Sequence, residues 1–520
     1  MSSKQTLLTL RAWQGGPALS GPNDAQPFPR FGAPDRAAYG AVGLADDPPP
    51  TVPAGTDERP GRRSADGSRA IYDLPTTEPV PFVSSLAHHP VDDAHLWIAV
   101  EDGKLLVADD VDHALLTLLV AGTTPADAAR ELRQSHGLTA NAASQAMAKL
   151  VARAAHAGMV RGIRGHHSVK QVRPHVFARF HLTNRCQLEC VHCYTSSGPL
   201  LPKDGELTTG RWIRLVEDFA ANGGEKLLLT GGEALLHEGC VPVMRRAHEL
   251  GLEVTLFSNG MAVPKHLDDI VRYADIVQIS VDGPDAETHD AIRGPQSFRR
   301  AVRAIQLLLD AGVETRVSTT VMAANWTAVK AHLPGFVEQW RNTDLRFRIS
   351  YGAMAHGRGT NLDHDLDTDE VRAWVDSLLG RLREEDDKVH GPNKVQKISG
   401  CGYAEQLVVA PDGVVYPCHL MSGALGHVDQ LPLGEITAYL GRTAAAFGVD
   451  NREGCRSCDL RNLCGGTCRV EDEKHTGSRL VTTCTPEEKL RRRRFLVQRY
   501  RPTPLSAQPT GPSAPGRVEA

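Results

Sequence analysis

The stretch NRCQLECVHCYTSSG, residues 184–198, places three cysteines within eight positions. A disulfide between two of them would leave an odd thiol, whereas three sulfurs on one short loop suit a metal. Structural zinc normally takes four protein ligands, and only three are local here. An iron-sulfur cluster with one open iron is therefore the sharper interpretation, and zinc is the alternative. The predicted ligands are Cys186, Cys190 and Cys193.

Composition and charge limit the class of protein. The chain has 520 residues, of which 41% are hydrophobic and 23% are charged, so it is long enough for several domains with real cores. The formal net charge of -4 and the lack of a broad basic stripe argue against general nucleic-acid binding. No signal-like start and no run of ~20 apolar residues is present. We therefore expect a cytoplasmic protein without membrane or nucleic-acid partners, whose 11 cysteines serve metal or redox chemistry.

The pattern from residue 175 to 354 is one of repeated strand-helix units, with six predicted strands from HVFARFHLT to LRFRISYGA. Strands that alternate with amphipathic helices predict a parallel α/β sheet, here a partial (β/α)6 barrel. Chemistry in such barrels gathers at the C-terminal ends of the strands. Unusual residues follow the first four strands at that end. They are the cysteine loop, then Gly231, Gly232 and Glu233, then Ser258 and Asn259, then Ser280 and Asp282.

The remaining regions differ from the barrel in composition. Residues 86–165 contain two short predicted strands around an Asp-Gly turn and three helices capped in part by Thr124 and Thr139, an arrangement that resembles a winged helix. Before this unit the chain is rich in Pro, Gly, Asp and Ala without a hydrophobic period. The predicted boundaries are 1–85 for a largely disordered segment, 86–165 for the winged-helix-like domain, 175–354 for the barrel, 355–400 for a helical bridge, 401–490 for a cysteine-rich iron-sulfur domain and 491–520 for a basic, then Pro-rich tail.

The spacing CxxxCxxC before an aromatic residue, in CQLECVHCY, together with TGGE at residues 230–233, resembles the signature of the radical S-adenosylmethionine (SAM) enzymes. The resemblance implies that the three thiolates hold a [4Fe-4S] cluster whose open iron chelates the amino and carboxylate groups of SAM. Reductive cleavage would give methionine and a 5'-deoxyadenosyl radical that abstracts an unactivated hydrogen. A reducing electron donor such as flavodoxin or ferredoxin is implied as a partner.

The same resemblance implies cofactor contacts around the cluster. Gly231 and Gly232 would let the backbone approach the ligand, and Glu233 would accept a hydrogen bond from its amino group. For several of the other contacts a turn or a surface ion pair is the structural alternative. The implied contacts are Tyr194 near the cluster and adenine, Ser258 and Asn259 at the ribose, Ser280 at the polar atoms of the nucleotide, Asp282 beside it at the same strand end, and Arg293 at the carboxylate.

Seven further cysteines follow the barrel, with the central spacing CxxC, five residues, C, three residues, C. This pattern resembles the SPASM extension of peptide-modifying radical enzymes, and it implies two auxiliary iron-sulfur clusters, taken as [4Fe-4S]. Two zinc ribbons are the alternative. By the family pattern one cluster has an open iron, which substrate, water or another ligand would fill. The implied ligands are Cys455, Cys458, Cys464 and Cys484 for the closed cluster and Cys401, Cys418 and Cys468 for the open one.

His419 directly follows Cys418. In the sulfatase-maturing branch of the family, the matching position is an Asp that accepts a proton. Histidine retains base chemistry, so His419 is the predicted catalytic residue, although it weakens assignment to that branch. A structural or solvated role is the alternative. Cys240 belongs to neither cysteine pattern and is predicted to be a small core residue.

The unit at 86–165 resembles peptide-recognition domains that hold leader peptides, such as the pyrroloquinoline quinone chaperone. The implied mechanism is addition of a leader strand to a sheet edge. A DNA-binding winged helix is the competing interpretation, and the mixed charges of the segment disfavour it. We therefore expect a peptide maturase that abstracts hydrogen from a ribosomally made precursor and forms a thioether or carbon-carbon crosslink. Sulfatase-type oxidation, epimerisation and a non-catalytic iron-sulfur or zinc-ribbon regulator are the alternatives.

Overall fold

The computed structural model describes residues 77–161, 176–352, 356–378 except 369 and 376, and 397–501. The disorder predicted for the N-terminal segment falls almost entirely outside the described residues. The same holds for residues 379–396 of the predicted helical bridge and for the Pro-rich part of the tail. Each described helix is too short or too polar to cross a bilayer.

The first unit is a three-stranded antiparallel sheet followed by three helices. The predicted strands correspond to β2 and β3. The additional edge strand β1 is not predicted from the sequence, because LAHHPV contains a proline and has no apolar alternation. Thr124 and Thr139 accept the predicted N-cap hydrogen bonds, so both caps are confirmed. The elements are β1 Leu86–Val91, β2 Ala94–Ala99, β3 Lys104–Ala108, α1 Asp110–Val120, α2 Pro125–His136 and α3 Ala140–His156.

Six parallel strands form the centre of the molecule, and helices connect them. The predicted parallel α/β sheet is therefore confirmed. Phe180 on the first of these strands packs against Trp212 under the helices, while Arg179 points to the opposite face and lies over the ring of Phe257. The elements are β4 Phe177–His181, α4 Thr209–Ala221, β5 Lys226–Thr230, α5 Cys240–Glu249, β6 Glu253–Ser258, α6 Leu267–Tyr273, β7 Ile276–Ser280, α7 Ala286–Arg293, α8 Ser297–Asp310, β8 Glu314–Val321, α9 Trp326–Glu338 and β9 Arg346–Tyr351.

Three short strands of the cysteine-rich region extend this sheet beyond β4. The first pairs parallel with β4 and the next two add antiparallel, so the described sheet has nine strands. The cysteine-rich region is thus continuous with the barrel sheet and covers an edge that would otherwise expose unpaired backbone groups. The elements are β10 Leu407–Val409, β11 Val414–Tyr416, β12 Gly426–His427, α10 Leu433–Ala446, α11 Arg461–Cys464, α12 Arg469–Thr476 and α13 Pro486–Tyr500.

The N-terminal sheet packs between two layers. Leu106 and Trp97 face its own helices, whereas Leu96 and Ile98 face the cysteine-rich region. Polar contacts flank this second interface, including Asn462 Nδ2 to the carbonyl oxygen of Val100 at 2.9 Å. Both faces of the small sheet are therefore covered. The face with Leu96 and Ile98 covers Leu460, Leu463, Leu496 and Val497.

Deleting the residues before 166 should uncover this apolar surface. Each buried leucine or valine side chain is worth roughly 1.5–3 kcal/mol, so the midpoint of thermal unfolding should fall by several degrees. The control is Arg494→Ala, which removes only an exposed ion pair with Asp92 across the same interface and should cost about 1 kcal/mol or less. An unchanged midpoint in the truncated chain would contradict this packing.

Candidate active site

The predicted cluster ligands lie on the loop that follows β4. Cys186 and Cys190 are buried, Cys193 is half-buried, and all 11 cysteines of the chain are free thiols. Burial raises the pKa of Cys186 to about 12, and the nearby Glu233, Cys190 and Cys193 add to the rise. Three adjacent thiols without a disulfide fit a metal cluster, which would bind them as thiolates and displace their protons.

Neighbouring residues donate hydrogen bonds to the thiols of this loop. Asn259 Nδ2 lies 3.6 Å from Cys186 Sγ. The guanidinium of Arg293 lies 4.0 Å from Cys190 Sγ. Donors of this kind stabilise thiolates and tune a bound cluster. Asn259 and Arg293 are therefore placed at the predicted cluster site, next to the sulfur atoms.

Gly231 and Gly232 bring the end of β5 against the cysteine loop. A Cβ atom at Gly231 would lie 2.3 Å from the carbonyl oxygen of Thr183, and one at Gly232 would lie 2.4 Å from that of Arg185. The backbone amide of Gly232 donates to Thr183 at 2.7 Å, and that of Glu233 donates to Arg185 at 2.9 Å. The close approach in the structure is made to the cysteine loop; the predicted approach of these glycines to the cofactor stays a prediction.

Glu233 is completely buried at the centre of the site. Its carboxylate accepts hydrogen bonds from Ser258 Oγ at 3.1 Å and from the Asn259 amide at 2.8 Å. Burial raises the pKa of Glu233 to about 7, and these hydrogen bonds oppose the rise. Ser258 and Asn259 thus brace Glu233 and the cysteine loop; their predicted contact with a ribose stays a prediction.

Asp282 and Arg293 form a buried ion pair, with Arg293 Nε 2.6 Å from Asp282 Oδ2. His192, from the cysteine loop, lies 3.3 Å from the same oxygen. Burial acts to raise the pKa of Asp282, but Arg293 and His192 outweigh it and hold the pKa below its ordinary value. Part of the Arg293 guanidinium is therefore engaged by Asp282. Ser280 ends β7 at the same level.

Two further groups at this site are not predicted from the sequence. Arg358 donates to the carbonyl oxygens of Cys190 at 2.9 Å and Ser197 at 2.6 Å. Gly357 precedes it with φ +54°, and its missing Cβ would lie 2.5 Å from the carbonyl oxygen of Cys193. The available signal was their position after the last parallel strand, in YGAMAHGRGT, where strand-end residues are expected to gather.

The further thiols pack in two places: Cys401, Cys418 and Cys468 lie against the main core, and Cys458 and Cys464 lie against the apolar cluster beneath the N-terminal sheet. Burial raises the pKa of Cys468 to about 12, and the neighbouring thiols of Cys401 and Cys418 raise it further. We call these three the proximal set. The thiol of Cys464 raises the pKa of Cys455, and the thiols of Cys464 and Cys458 raise the pKa of Cys484. The distal set is Cys455, Cys458, Cys464 and Cys484.

Tyr194, on the cysteine loop, is influenced electrostatically by one thiol of the loop and by one of the proximal set. Burial raises the pKa of Tyr194 to about 12; Arg179 opposes the rise, while Cys193 and Cys418 reinforce it. The tyrosine therefore lies within electrostatic reach of both thiol groups. His419 Nδ1 is 3.6 Å from Cys418 Sγ, so the predicted base also lies at the proximal set. Cys240, by contrast, packs in the hydrophobic core under the helices.

Comparison with known proteins identifies the family. The Radical SAM superfamily matches residues 180–327. PqqA peptide cyclase of Methylorubrum extorquens is 30% identical over 321 residues, which are 57% of this chain and 80% of that protein. The chain belongs to the radical SAM superfamily. The predicted enzyme class is confirmed, and the family implies SAM and a [4Fe-4S] cluster, which the three loop thiols fit.

Two other relatives of this radical SAM enzyme are named for different molecules. The AdoMet-dependent heme synthase of Nitratidesulfovibrio vulgaris is 33% identical over 328 residues, which are 58% of this chain and 89% of that protein. The sporulation killing factor maturation protein SkfB of Bacillus subtilis is 31% identical over 270 residues, 49% of this chain and 63% of that protein. The relatives therefore include both peptide-modifying proteins and a haem synthase.

Replacing Gly232 by alanine should prevent assembly of the radical cluster, because the new Cβ would collide with backbone that no side-chain rotation can move. We expect Gly232→Ala to lose about four irons per chain and its SAM cleavage. Gly210→Ala is the matched control, since its Cβ would have only the end of the flexible Arg214 side chain nearby, at 3.8 Å. Iron analysis and 5'-deoxyadenosine assays check both. Full iron content in Gly232→Ala would contradict the expectation.

Asp282→Asn should destabilise the protein by about 3–5 kcal/mol, because it leaves the buried Arg293 charge without its partner. The depressed pKa means that this contribution is present at neutral pH and lost as the pH falls below about 4. Thermal unfolding at pH 7 measures the effect. The control, Glu238→Gln, breaks an exposed pair with Lys203 and should cost about 1 kcal/mol or less. Equal losses in the two variants would refute the role of the buried pair.

Proposed function

We propose that this enzyme modifies a ribosomally made precursor peptide, abstracting a hydrogen from one residue and forming a thioether or carbon-carbon crosslink. The observation that carries the proposal is the pairing of β10 with β4, which adds the cysteine-rich region to the barrel sheet beside the strand that leads into the cysteine loop. A substrate radical formed above the barrel then has a redox centre within reach. Relatives named for peptide cyclisation and for maturation of a killing factor support a peptide substrate.

The strand-end residues hold SAM beside the cysteine loop in this proposal. When bound, SAM and the loop cluster supply the radical that abstracts hydrogen. Ser258 and the Asn259 amide hold the Glu233 carboxylate in one orientation. A cationic amino group placed against Glu233 would offset the cost of burying its charge. Arg293 retains donors for a carboxylate beyond the Nε group that Asp282 takes, and Ser280 and Asp282 complete the nucleotide side.

Auxiliary iron-sulfur clusters occupy the proximal and distal sets in this proposal. Four thiols close the distal cluster, and three leave one iron of the proximal cluster for another ligand. Arg452, completely buried, supports the distal assignment because it donates to Cys455 Sγ at 3.6 Å and pairs with the buried Asp472. His419 accepts the proton released when the substrate is oxidised. Flavodoxin or ferredoxin is the proposed electron donor.

The N-terminal unit binds the leader of the precursor in this proposal. Because both faces of its sheet are covered, an extended peptide can add only at an edge. At the β3 edge, Arg153 of α3 already donates to the carbonyl oxygen of Val107 and pairs with Asp112. At the β1 edge, Pro90 lacks an amide donor and ends any ladder there. A leader at β3 therefore has to displace the Arg153 contact.

A tetrapyrrole substrate is the second candidate, and the named haem synthase relative is the observation that favours it. The two candidates differ in what the N-terminal unit has to do, since only a leader-bearing peptide needs a separate anchor. The two candidates are distinguished by incubating the enzyme with a short precursor peptide encoded beside its own gene and, separately, with a tetrapyrrole. A mass decrease of about two hydrogens in the peptide supports oxidative modification of a peptide, by crosslinking or by side-chain oxidation. Conversion of the tetrapyrrole alone would refute the peptide proposal.

Cys468→Ala should abolish the peptide product while SAM is still cleaved, because Cys468 belongs to the proximal set and not to the cysteine loop. Mass spectrometry of the peptide and measurement of 5'-deoxyadenosine separate the two steps. Cys240→Ala is the control, since it removes a thiol that packs in the core and should leave iron and product nearly unchanged. Normal product formation by Cys468→Ala would show that the proximal set is dispensable.

A further inference from the structure

Three histidines from three different elements meet in the N-terminal unit, on the face of its sheet opposite the distal cysteine set. His88 lies on β1, His95 on β2 and His113 on α1. One ring nitrogen of each lies within 4.8 Å of the other two, and all three side chains are partly accessible. We propose that they form a binding site for a divalent transition-metal ion, zinc in the cell. This inference stands independently of the proposed peptide chemistry.

Two of the nitrogens already face each other. His88 Nε2 lies 3.0 Å from His95 Nδ1, so only one of them carries the hydrogen and the other offers its lone pair. Zinc-imidazole bonds of about 2.0 Å in a tetrahedral site place neighbouring ligand nitrogens about 3.3 Å apart. An ion can therefore replace the shared proton with a small opening of the pair.

His95 also contacts a carboxylate of the kind that orients a metal-binding histidine. His95 Nε2 lies 3.1 Å from a carboxylate oxygen of Asp110 at the start of α1. A histidine that binds metal usually donates its other ring N–H to such an oxygen, which fixes the tautomer. With the hydrogen on Nε2, the lone pair of His95 is on Nδ1, the atom that faces His88.

His113 supplies the remaining ligand by turning its ring. It stacks on His95 with ring centroids 3.9 Å apart and planes at 8°, and on His88 at 4.3 Å. In the part of the chain that the structure describes, its Nδ1 atom is buried without a hydrogen-bond partner. An unpaired buried polar atom costs about 1–3 kcal/mol. Rotation about the Cβ–Cγ bond would break the parallel stack and let this nitrogen bind the ion.

The chemistry of the three groups selects the ion. Imidazole nitrogens suit zinc, nickel, copper and cobalt, and three of them leave a fourth position for water or another ligand. Metal binding also requires neutral imidazoles. The iron-binding thiols of the chain belong to separate sets, so zinc and iron have different donors.

Zinc content of the full-length enzyme tests the site. After anaerobic assembly of its clusters, the protein is incubated with Zn²⁺, desalted and analysed for zinc and iron. Wild type should retain about one zinc more than His95→Ala, with equal iron in both. His136→Ala is the matched control: it removes an exposed histidine of the same unit, which contacts only Ser135 Oγ among the described hydrogen bonds, and it should behave as wild type.

Two measurements keep the outcome independent of folding. Asp110→Asn preserves all three ligands and should weaken zinc binding by about 10- to 100-fold in a competition with a chelating dye. Zinc X-ray absorption should show nitrogen neighbours at about 2.0 Å and no sulfur at about 2.3 Å. A sulfur shell would mean zinc in unfilled cysteine sites. Either that result, or equal zinc in wild type and His95→Ala, overturns the proposal.

Discussion

The close approach of β5 to the cysteine loop is the constraint on which the active site depends. The missing side chains of Gly231 and Gly232 let two backbones meet at distances that a Cβ atom would forbid. The resulting hydrogen bonds to Thr183 and Arg185 fix the loop just before its first cysteine. Glu233 follows directly, so the same approach that places the thiols also buries the carboxylate between them and the end of β6.

Two buried carboxyl groups lie near this close approach, and their surroundings differ. Glu233 accepts hydrogen bonds from neutral donors, Ser258 Oγ and the amides of Asn259 and Leu235, and burial raises its pKa. Asp282, two strands away, is held by Arg293 and His192, and its pKa is lowered. Under the proposed function Glu233 would receive a cationic group, whereas Asp282 already has one in Arg293, which also lies beside Cys190. Burial alone would raise both pKa values; the neighbouring charges separate them.

Short-range patterns predicted the parallel strands and the motif residues at their ends, because strand periodicity and cysteine spacing are local properties of the sequence. The partners of those residues depend on distant segments. Nothing near Arg358 in the sequence indicates that its guanidinium binds carbonyl oxygens of Cys190 and Ser197. Likewise, the pairing of β10 with β4 joins segments more than two hundred residues apart. The edge strand β1 was missed because histidines and a proline interrupt its apolar pattern.

The packing of the N-terminal sheet relates the proposed peptide binding to the proposed redox chemistry. The apolar cluster beneath this sheet includes Leu460 and Leu463, and Cys458 and Cys464 pack against it. Asn462, between these residues, also binds the sheet through Val100. Because packed interfaces transmit displacement rather than absorb it, a strand added at the sheet edge bears on the loop that carries the distal thiols. Under the proposed function, a leader bound there would be mechanically connected to the distal set as well as tethered to its own core peptide.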